Sequence, residues 1–381
     1  MAKTGAGSVK EKRSKRKIRY AVVGQGYISQ VAVLPAFSNA RKNSELAALI
    51  SDDPVKLKKL GKKYNVRSLY SYEEYDACLS SGEIDAVYIA LPNSMHREYT
   101  ERAARAGVHI LCEKPMAVTE EDCESMIRVA SASKVKLMIA YRLHFEAANL
   151  KAVQMVRSGR LGEPRIFNSV FTMQVEKGNI RLKKDLGGGT LYDIGIYCIN
   201  AARYLFQDEP VEVSAFSANN GEDRFREVDE MTAAILRFPN ERLATFTCSF
   251  GAADASAYEI VGTKARLRVD PAYEHAGDLT HQLTRDGKSR KQTFPHRDQF
   301  APELLHFSEC IIEDKDPEPS GLEGLADVRI IRALYRSAKT GQPAKLGDFE
   351  KIDRSDPEQE MRRPPVEKPD LVHATPPSGK S

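Results

Sequence analysis

Residues 18–29 read Ile18-Arg19-Tyr20-Ala21-Val22-Val23-Gly24-Gln25-Gly26-Tyr27-Ile28-Ser29, a short apolar run that stops at a glycine turn. The run has the length and composition of a buried strand. Gly24 permits a tight turn, Gly26 lets a bound group approach the backbone, and Ile28–Phe37 continues with helical character. Such a strand–turn–helix unit presents unpaired N–H groups and the positive end of a helix, which suits the pyrophosphate of a dinucleotide. Ser29 replaces the third glycine of the usual G-x-G-x-x-G pattern and is small enough for close helix–strand packing. Pro35 is expected to shorten or kink the helix.

Working outward, the strand–helix rhythm repeats. Glu45–Ile50 reads as a strand. Asp53-Pro54 reads as an N-cap and N1 proline opening a helix through Tyr64. Ala86–Leu91 is a strand, Met95–Ala106 a helix ending at Gly107, and Val108–Cys112 a strand. Thr119-x-x-Asp122 resembles a capping box, and Leu137–Ala140 is a further strand. The alternation predicts a parallel, doubly wound Rossmann-type sheet over residues 18–141. Beyond residue 142 long strand-like stretches follow one another: Arg165–Val175, Val211–Ser217, Met231–Phe238, Leu243–Phe250, Tyr258–Val261 and Ala265–Val269. Turn signals at Pro239-Asn240 and Gly262-Thr263 predict an open, mostly antiparallel sheet in an α+β domain over 142–350. Late helices are expected at Pro302–Glu313 and Leu322–Ala338. The expected fold class is therefore α/β for the first domain, with an α+β second domain.

The ends read differently. Residues 1–17 carry Lys3, Lys10, Lys12, Arg13, Lys15, Arg16 and Lys17 against Glu11, so the net charge of +4 sits in a basic tail and the body is mildly acidic. No recognition motif accompanies that tail, so no nucleic-acid partner is expected. Residues 351–381 form a Pro-rich tail; 355–381 carry six prolines and many charges and are expected to be disordered. No apolar run approaches the roughly 18 residues of a membrane span. The basic start leads into Ile18–Val23 and a glycine turn, not into an apolar h-region with a cleavage site. The six cysteines, Cys78, Cys112, Cys123, Cys198, Cys248 and Cys310, are widely spaced and show no metal-ligand pattern. Reduced thiols in a cytoplasm, with no metal and no membrane partner, are the expectation.

The end of the second strand selects the nucleotide. A carboxylate there would bind the ribose 2′-hydroxyl of NAD. With Asp53 as N-cap, the selecting position is Ser51, which has no charge to repel a 2′-phosphate, and Lys56 stands one turn into the helix to pair with it. Asp52 could itself reach a ribose. NADP is expected over NAD.

Two segments carry chemistry. Cys112-Glu113-Lys114-Pro115 ends a parallel strand, the sheet edge that faces the ligand crevice. In Gly187-Gly188-Gly189-Thr190-Leu191-Tyr192-Asp193-Ile194-Gly195-Ile196-Tyr197 a glycine loop enters a helix, and Asp193 and Tyr197 fall four apart on one face. Together with Leu91-Pro92-Asn93-Ser94-x-His96, Tyr141-Arg142-x-His144, Arg181-Leu182 and Glu323-Gly324, these segments resemble the Gfo/Idh/MocA oxidoreductases over about residues 18–345. The likeness is greatest to the glucose–fructose oxidoreductase branch, which shares tyrosine at position 197 where most of the family has histidine.

The resemblance implies a Rossmann domain followed by a domain with an open antiparallel sheet, and hydride transfer between NADP and a sugar carbon. It implies a nucleotide site from Gly24, Gly26, Tyr27, Ile28, Ser51, Lys56, Leu91, Pro92, Asn93, His96, Glu113, Lys114 and Arg142. His96 would shape the nicotinamide end rather than move protons. A free tyrosine, with a pKa near 10, is a poor base at neutral pH; an adjacent ammonium improves it. Tyr197 is thus expected as acid/base, Lys114 as its electrostatic partner, and Asp193 as the acceptor that orients a sugar hydroxyl. Lys114 as the base is the competing assignment. Arg142, His144 and Arg181 are candidate substrate contacts, with structural hydrogen bonding as the alternative. A cis Lys114-Pro115 bond is also implied.

Two other functions stay open. The nucleotide can remain bound and pass hydride from sugar to sugar, as the closest branch implies. That branch carries an export leader and a long N-terminal arm over its cofactor; this chain reads without either, so exchangeable NADP is expected. A non-catalytic, nucleotide-sensing regulator of the same fold would be favoured by loss of Lys114 or Tyr197, and both are present. Family sheets pack together, so a homodimer or homotetramer through the second-domain sheet is expected.

Overall fold

The computed structural model describes residues 16–349 and 355–378. The basic tail expected over 1–17 lies outside the described residues except for Arg16 and Lys17.

Strands β1 (Ile18–Val23), β2 (Ser44–Ile50), β3 (Ser68–Tyr70), β4 (Ala86–Ile89), β5 (His109–Glu113) and β6 (Leu137–Ala140) form one sheet. Their spatial order is β3-β2-β1-β4-β5-β6 and all pairs are parallel. The order reverses between β1 and β4, and the crevice of a doubly wound sheet opens at that switch point, beyond the carboxyl ends of the strands. β1 is buried throughout except Arg19, as a central parallel strand must be. Asp53 caps the helix Pro54–Tyr64, its carboxylate accepting from the N–H groups of Val55 and Lys56. The helix after the glycine turn starts as a wide π turn, Ser29–Val33, and closes over Leu34–Ala36. Pro35 has no N–H to give to the preceding turn, so this helix is short.

The second sheet holds β7 (Pro164–Gln174), β8 (Glu212–Ala218), β9 (Met231–Phe238), β10 (Arg242–Ser249), β11 (Gly251–Gly262), β12 (Arg266–Val269), β13 (Leu279–Arg285), β14 (Lys288–Phe294) and β15 (Ala344–Lys345). The order is β14-β13-β12-β11-β7-β10-β9-β8-β15. β7 and β10 run parallel, and the other neighbours are antiparallel. Along β9, Thr232, Ala234, Leu236 and Phe238 are buried while Ala233, Ile235 and Arg237 are exposed. One face therefore packs on the helices Ile196–Phe206 and Gly321–Thr340, and the other is open. Ile166, Phe216, Ile235 and Leu243 stand on that open face, with Phe216 77% exposed.

Sequence reasoning missed β3, the helices Tyr75–Ser80 and Ala147–Arg157, and the hairpin β13–β14. β3 is too short for a period to register. β14 is almost wholly polar and lies at a solvated sheet edge. Its signal was the turn Asp286-Gly287, both with positive φ (50° and 73°) as a two-residue hairpin requires.

The Pro-rich end departs from expectation. Residues 355–378 are not a free coil but follow the body of the protein. Arg363 accepts from the N–H of Asp298, Pro364 from the side chain of Asn39, and Met361, Leu371 and Val372 pack on the apolar core beneath β1. Composition sees only low hydrophobicity and many prolines. It does not register three spaced apolar anchors, nor that proline lowers the entropy lost when a chain is laid out extended.

Candidate active site

A cleft of about 780 Å³ opens at the switch point between β1 and β4 and continues to the second sheet, within the size range of cofactor sites. Its floor begins at the glycine turn. A Cβ on Gly24 would lie 2.5 Å from the carbonyl oxygen of Ala90, so only glycine lets β1 and β4 end side by side. A Cβ on Gly26 would meet nothing within 4 Å. That open space over a backbone turn is what a pyrophosphate needs, so the residues present fit a dinucleotide.

Tyr27, Ile28, Ser51, Lys56, Leu91, Pro92, Asn93, Glu113, Lys114 and Arg142 also line the cleft. Ser51 directly follows β2 and takes the N–H of Asp53 on its hydroxyl at 3.2 Å. Asp52 turns away, its carboxylate accepting from Tyr72 N–H at 2.8 Å. The carboxylate that could have bound a ribose is thus engaged elsewhere. Asn93 donates to the Gly187 carbonyl at 2.8 Å and ties the loop after β4 to the glycine loop of the second domain.

At the other end, β5 delivers Lys114 and the peptide bond to Pro115 is cis. Gly187-Gly188-Gly189 leads into a π turn, Leu191–Gly195, which the helix Ile196–Phe206 continues. Asp193 and Tyr197 face Lys114 from this helix. The Lys114 ammonium donates to the Asp193 backbone carbonyl at 2.9 Å, lies 3.7 Å from its carboxylate, and stands 4.7 Å from the Tyr197 ring centroid. Arg142 brings its guanidinium to 5.0 Å from the same ring. Arg181 donates to the Asp193 carboxylate at 2.6 Å. Burial pushes the Asp193 carboxyl up, but Arg181 and Lys114 outweigh it and hold it below the ordinary carboxylate range. Burial pushes Glu113 up, against the pull of Lys114 and of the Tyr88 hydroxyl, which donates to it at 2.8 Å.

Two expected site residues lie elsewhere. His96 is fully buried behind the cleft wall, its ring nitrogens 2.9 Å from the carbonyls of Pro115 and Leu91. It bridges the two loops that carry Leu91 and Lys114 and does not line the cleft, and burial lowers its pKa. His144 is also buried, with Nε2 2.9 Å from Asn200 Oδ1, one helical turn below Tyr197. There Asn200 donates to Glu323 and Asp327, and Arg203, 1% exposed, binds Glu209, Glu323 and Asp327 at 2.6–2.7 Å. This buried network fixes the helix that presents Tyr197.

Arg142 does reach the cleft, but its guanidinium is also spent on structure. It donates to Gln299 and, at 2.5 Å, to the Tyr273 carbonyl. Sequence reasoning missed the aromatic wall of Phe171 and Tyr273, whose rings lie 5.6 Å and 5.9 Å from that of Tyr197. It also missed Glu274 and His275 beside them, and His373–Ser378 from the C-terminal segment. Phe171 sits opposite Ser256 in the pairing of β7 with β11, and Tyr273, beyond β12, is tied to the same Ser256 by its N–H at 2.9 Å; no local spacing encodes either contact.

Residues 18–141 match the family model described as "Oxidoreductase family, NAD-binding Rossmann fold", and residues 149–268 match "GFO/IDH/MocA C-terminal domain". D-xylose 1-dehydrogenase [NADP(+)] of Haloarcula marismortui is 33% identical over 336 residues, covering 86% of this chain and 93% of that protein. The crystal structure of aldose-aldose oxidoreductase from Caulobacter crescentus, complexed with glycerol, matches with TM-score 0.83 and 39% identity over 87% of this chain and 100% of that one. KijD10, a 3-ketoreductase from Actinomadura kijaniata in complex with NADP and TDP-benzene, matches with TM-score 0.78 and 27% identity, covering 84% of this chain and 98% of that one. With its two-sheet architecture, its lysine–aspartate–tyrosine cluster and this extent of similarity, the chain belongs to the Gfo/Idh/MocA oxidoreductase family.

Proposed function

We propose that the protein is an NADP-dependent oxidoreductase acting on a CH–OH group of an aldose or cyclic polyol. The observation that carries this reading is the Tyr197 ring, held against the Lys114 ammonium and the Arg142 guanidinium in a cleft whose far end is the glycine turn. Relatives named as NADP-dependent xylose dehydrogenases and an aldose-aldose oxidoreductase support a sugar substrate. Ser51 and Lys56, with Asp52 turned away, support NADP over NAD.

Bound NADP supplies the carbon that accepts or gives up hydride. Tyr197 takes the proton of the sugar hydroxyl as the carbonyl forms, and returns it in reduction. The two cations against its ring stabilise the negative charge that develops on the phenol oxygen as that proton leaves. Lys114 is ill suited to be the base itself, because its ammonium is engaged by the Asp193 carbonyl and carboxylate. The ionised Asp193 carboxylate accepts a sugar hydroxyl, and Arg181 holds it in place and borders the same space. His96 and His144 act as braces rather than ligand contacts.

A second mode, hydride passed between two sugars on one retained nucleotide, is favoured by the C-terminal segment that lines the cleft. The open apolar sheet face supports a homodimer or homotetramer. No helix among the described residues is long and apolar enough to cross a membrane. The six cysteines are all buried and free, which supports a reducing compartment such as the cytoplasm. The test is turnover of single aldoses and polyols with NADP+, followed at the absorbance of NADPH, and then of aldose pairs without added nucleotide. Failure of every sugar in both formats would overturn the reading.

A further inference from the structure

The C-terminal segment crosses the mouth of the cleft and is tied down on both lips. On the nucleotide side, the Gln30 side chain pairs in both directions with the backbone of Val372, donating to its carbonyl at 2.8 Å and accepting its N–H at 2.7 Å. Gln30 belongs to the helix that follows the glycine turn and is 1% exposed, so this anchor is fixed to the floor of the site. His373 follows at once, with Nδ1 2.7 Å from Asp53 Oδ2. Because a carboxylate only accepts, Nδ1 carries the proton, and the ring is oriented at the end of β2 beside Ser51 and Lys56. On the opposite lip, Glu176 N–H donates to the Pro377 carbonyl at 2.9 Å, just beyond β7. Between these ties, residues 373–378 line the cleft itself. The segment is also held upstream, where Arg157 pairs with Asp356 at 3.0 Å and Gln359 donates to the Glu318 carbonyl at 2.9 Å.

We propose that residues 371–378 are a wall of the nucleotide site, that His373 contacts the adenosine ribose or its 2′-phosphate, and that NADP enters and leaves only when this strap lifts. The inference rests on the NADP reading above and adds residues to that site that neither the glycine turn nor the lysine–tyrosine cluster supplies. A ligand lying between the Gly26 turn and Tyr197 passes beneath backbone bonded to both domains, so its release requires breaking those bonds first. The two-way amide pairing at Gln30 is the stronger tie, since the His373–Asp53 pair is solvent-exposed and therefore weak. The strap is thus a hinged cover, anchored at Arg157 and Glu318 and openable at Gln30, Asp53 and Glu176.

The test is the rate at which NADPH leaves the full chain, read by its fluorescence after mixing with excess NADP+. Three variants are compared with wild type: Val372→Pro, which removes the N–H given to Gln30; His373→Ala; and a chain ending at Arg354. The expected result is release at least tenfold faster for Val372→Pro and for the shortened chain, with association no slower. His373→Ala is expected to weaken NADPH more than NADH. A second readout needs no variant: amide exchange at residues 371–378 should slow when NADP is added. Tight NADPH binding with release within twofold of wild type in both Val372→Pro and the shortened chain, or exchange that NADP leaves unchanged, overturns the strap while leaving the cofactor reading intact. A wild-type chain that binds no NADPH overturns both.

Discussion

The Lys114 ammonium stands over the Tyr197 ring at 4.7 Å from its centroid while donating to the backbone of Asp193, four residues earlier on the same helix. The sheet of one domain thereby fixes both the charge and the orientation of the helix of the other. If Tyr197 moves the proton, Tyr197→Phe keeps the ring, its packing on Phe171 and its two cations, and removes only the hydroxyl. Turnover should fall about 10²- to 10⁴-fold, with the NADP dissociation constant nearly unchanged by fluorescence titration. Lys114→Met should lower turnover by a similar factor. Near-normal turnover of Tyr197→Phe would remove it from its role.

Asp193 gives a pH prediction of definite sign. Its folded pKa is depressed, chiefly by Arg181 and Lys114 against the opposing effect of burial. A depressed carboxylate keeps its charge, and the stability that charge brings, above its ordinary pKa, and loses both only as pH falls through the lower folded value. Protonation of Asp193 therefore should not limit wild-type activity at pH 5. Arg181→Gln removes one of the two depressing charges, so the acid limb of kcat/KM should move to higher pH. An acid limb that stays in place would show that Asp193 need not be ionised for turnover.

Much of this was readable in advance, for local reasons. The run Ile18–Val23 before Gly24, the Asp53-Pro54 helix start and the strand ending at Lys114 all depend on neighbours in sequence, and they fix the first sheet and half of the site. The resemblance contributed Tyr197 and its pairing with Lys114. His96 and His144 are buried and do not line the cleft, and sequence could not show this, because a histidine beside a motif has the same local pattern whether its ring faces a ligand or two carbonyls. Phe171 and Tyr273 depend on strand pairing across the second sheet. The C-terminal strap depends on contacts with residues as distant as Gln30 and Asp53, and its composition resembles that of a disordered end.

Nucleotide choice rests on Ser51 and Lys56, which can be separated. Lys56→Ala should weaken NADP by about 10- to 100-fold, the range of one charge-assisted hydrogen bond, and leave NAD affinity unchanged. Ser51→Asp puts a carboxylate at the end of β2, where it repels a 2′-phosphate and accepts from a ribose hydroxyl. It should weaken NADP and strengthen NAD. Dissociation constants for both nucleotides on both variants check this, and equal losses for NADP and NAD in Lys56→Ala would assign that lysine to the solvated helix surface instead.

Phe216 is 77% exposed on β8, with Ile235 on β9, Leu243 on β10 and Ile166 on β7 each 44–49% exposed on the same face. β7, β10, β9 and β8 are consecutive in the sheet, so the four side chains form a continuous band rather than scattered surface residues. Each would contribute up to about 1.5–3 kcal/mol if buried fully, and a second copy of the same sheet would present the same band to cover it. In a two-fold contact every substitution is present twice, so Phe216→Glu would bring two carboxylates into an apolar interface, where each must lose its hydration without a partner. The helices on the other face of the sheet would not be disturbed, and the far-ultraviolet circular dichroism should remain that of the wild type. Sedimentation velocity should then show a wild-type dimer or tetramer and a folded Phe216→Glu monomer. An oligomer that survives the substitution would locate the interface elsewhere, and a monomeric wild type would leave the open face to solvent.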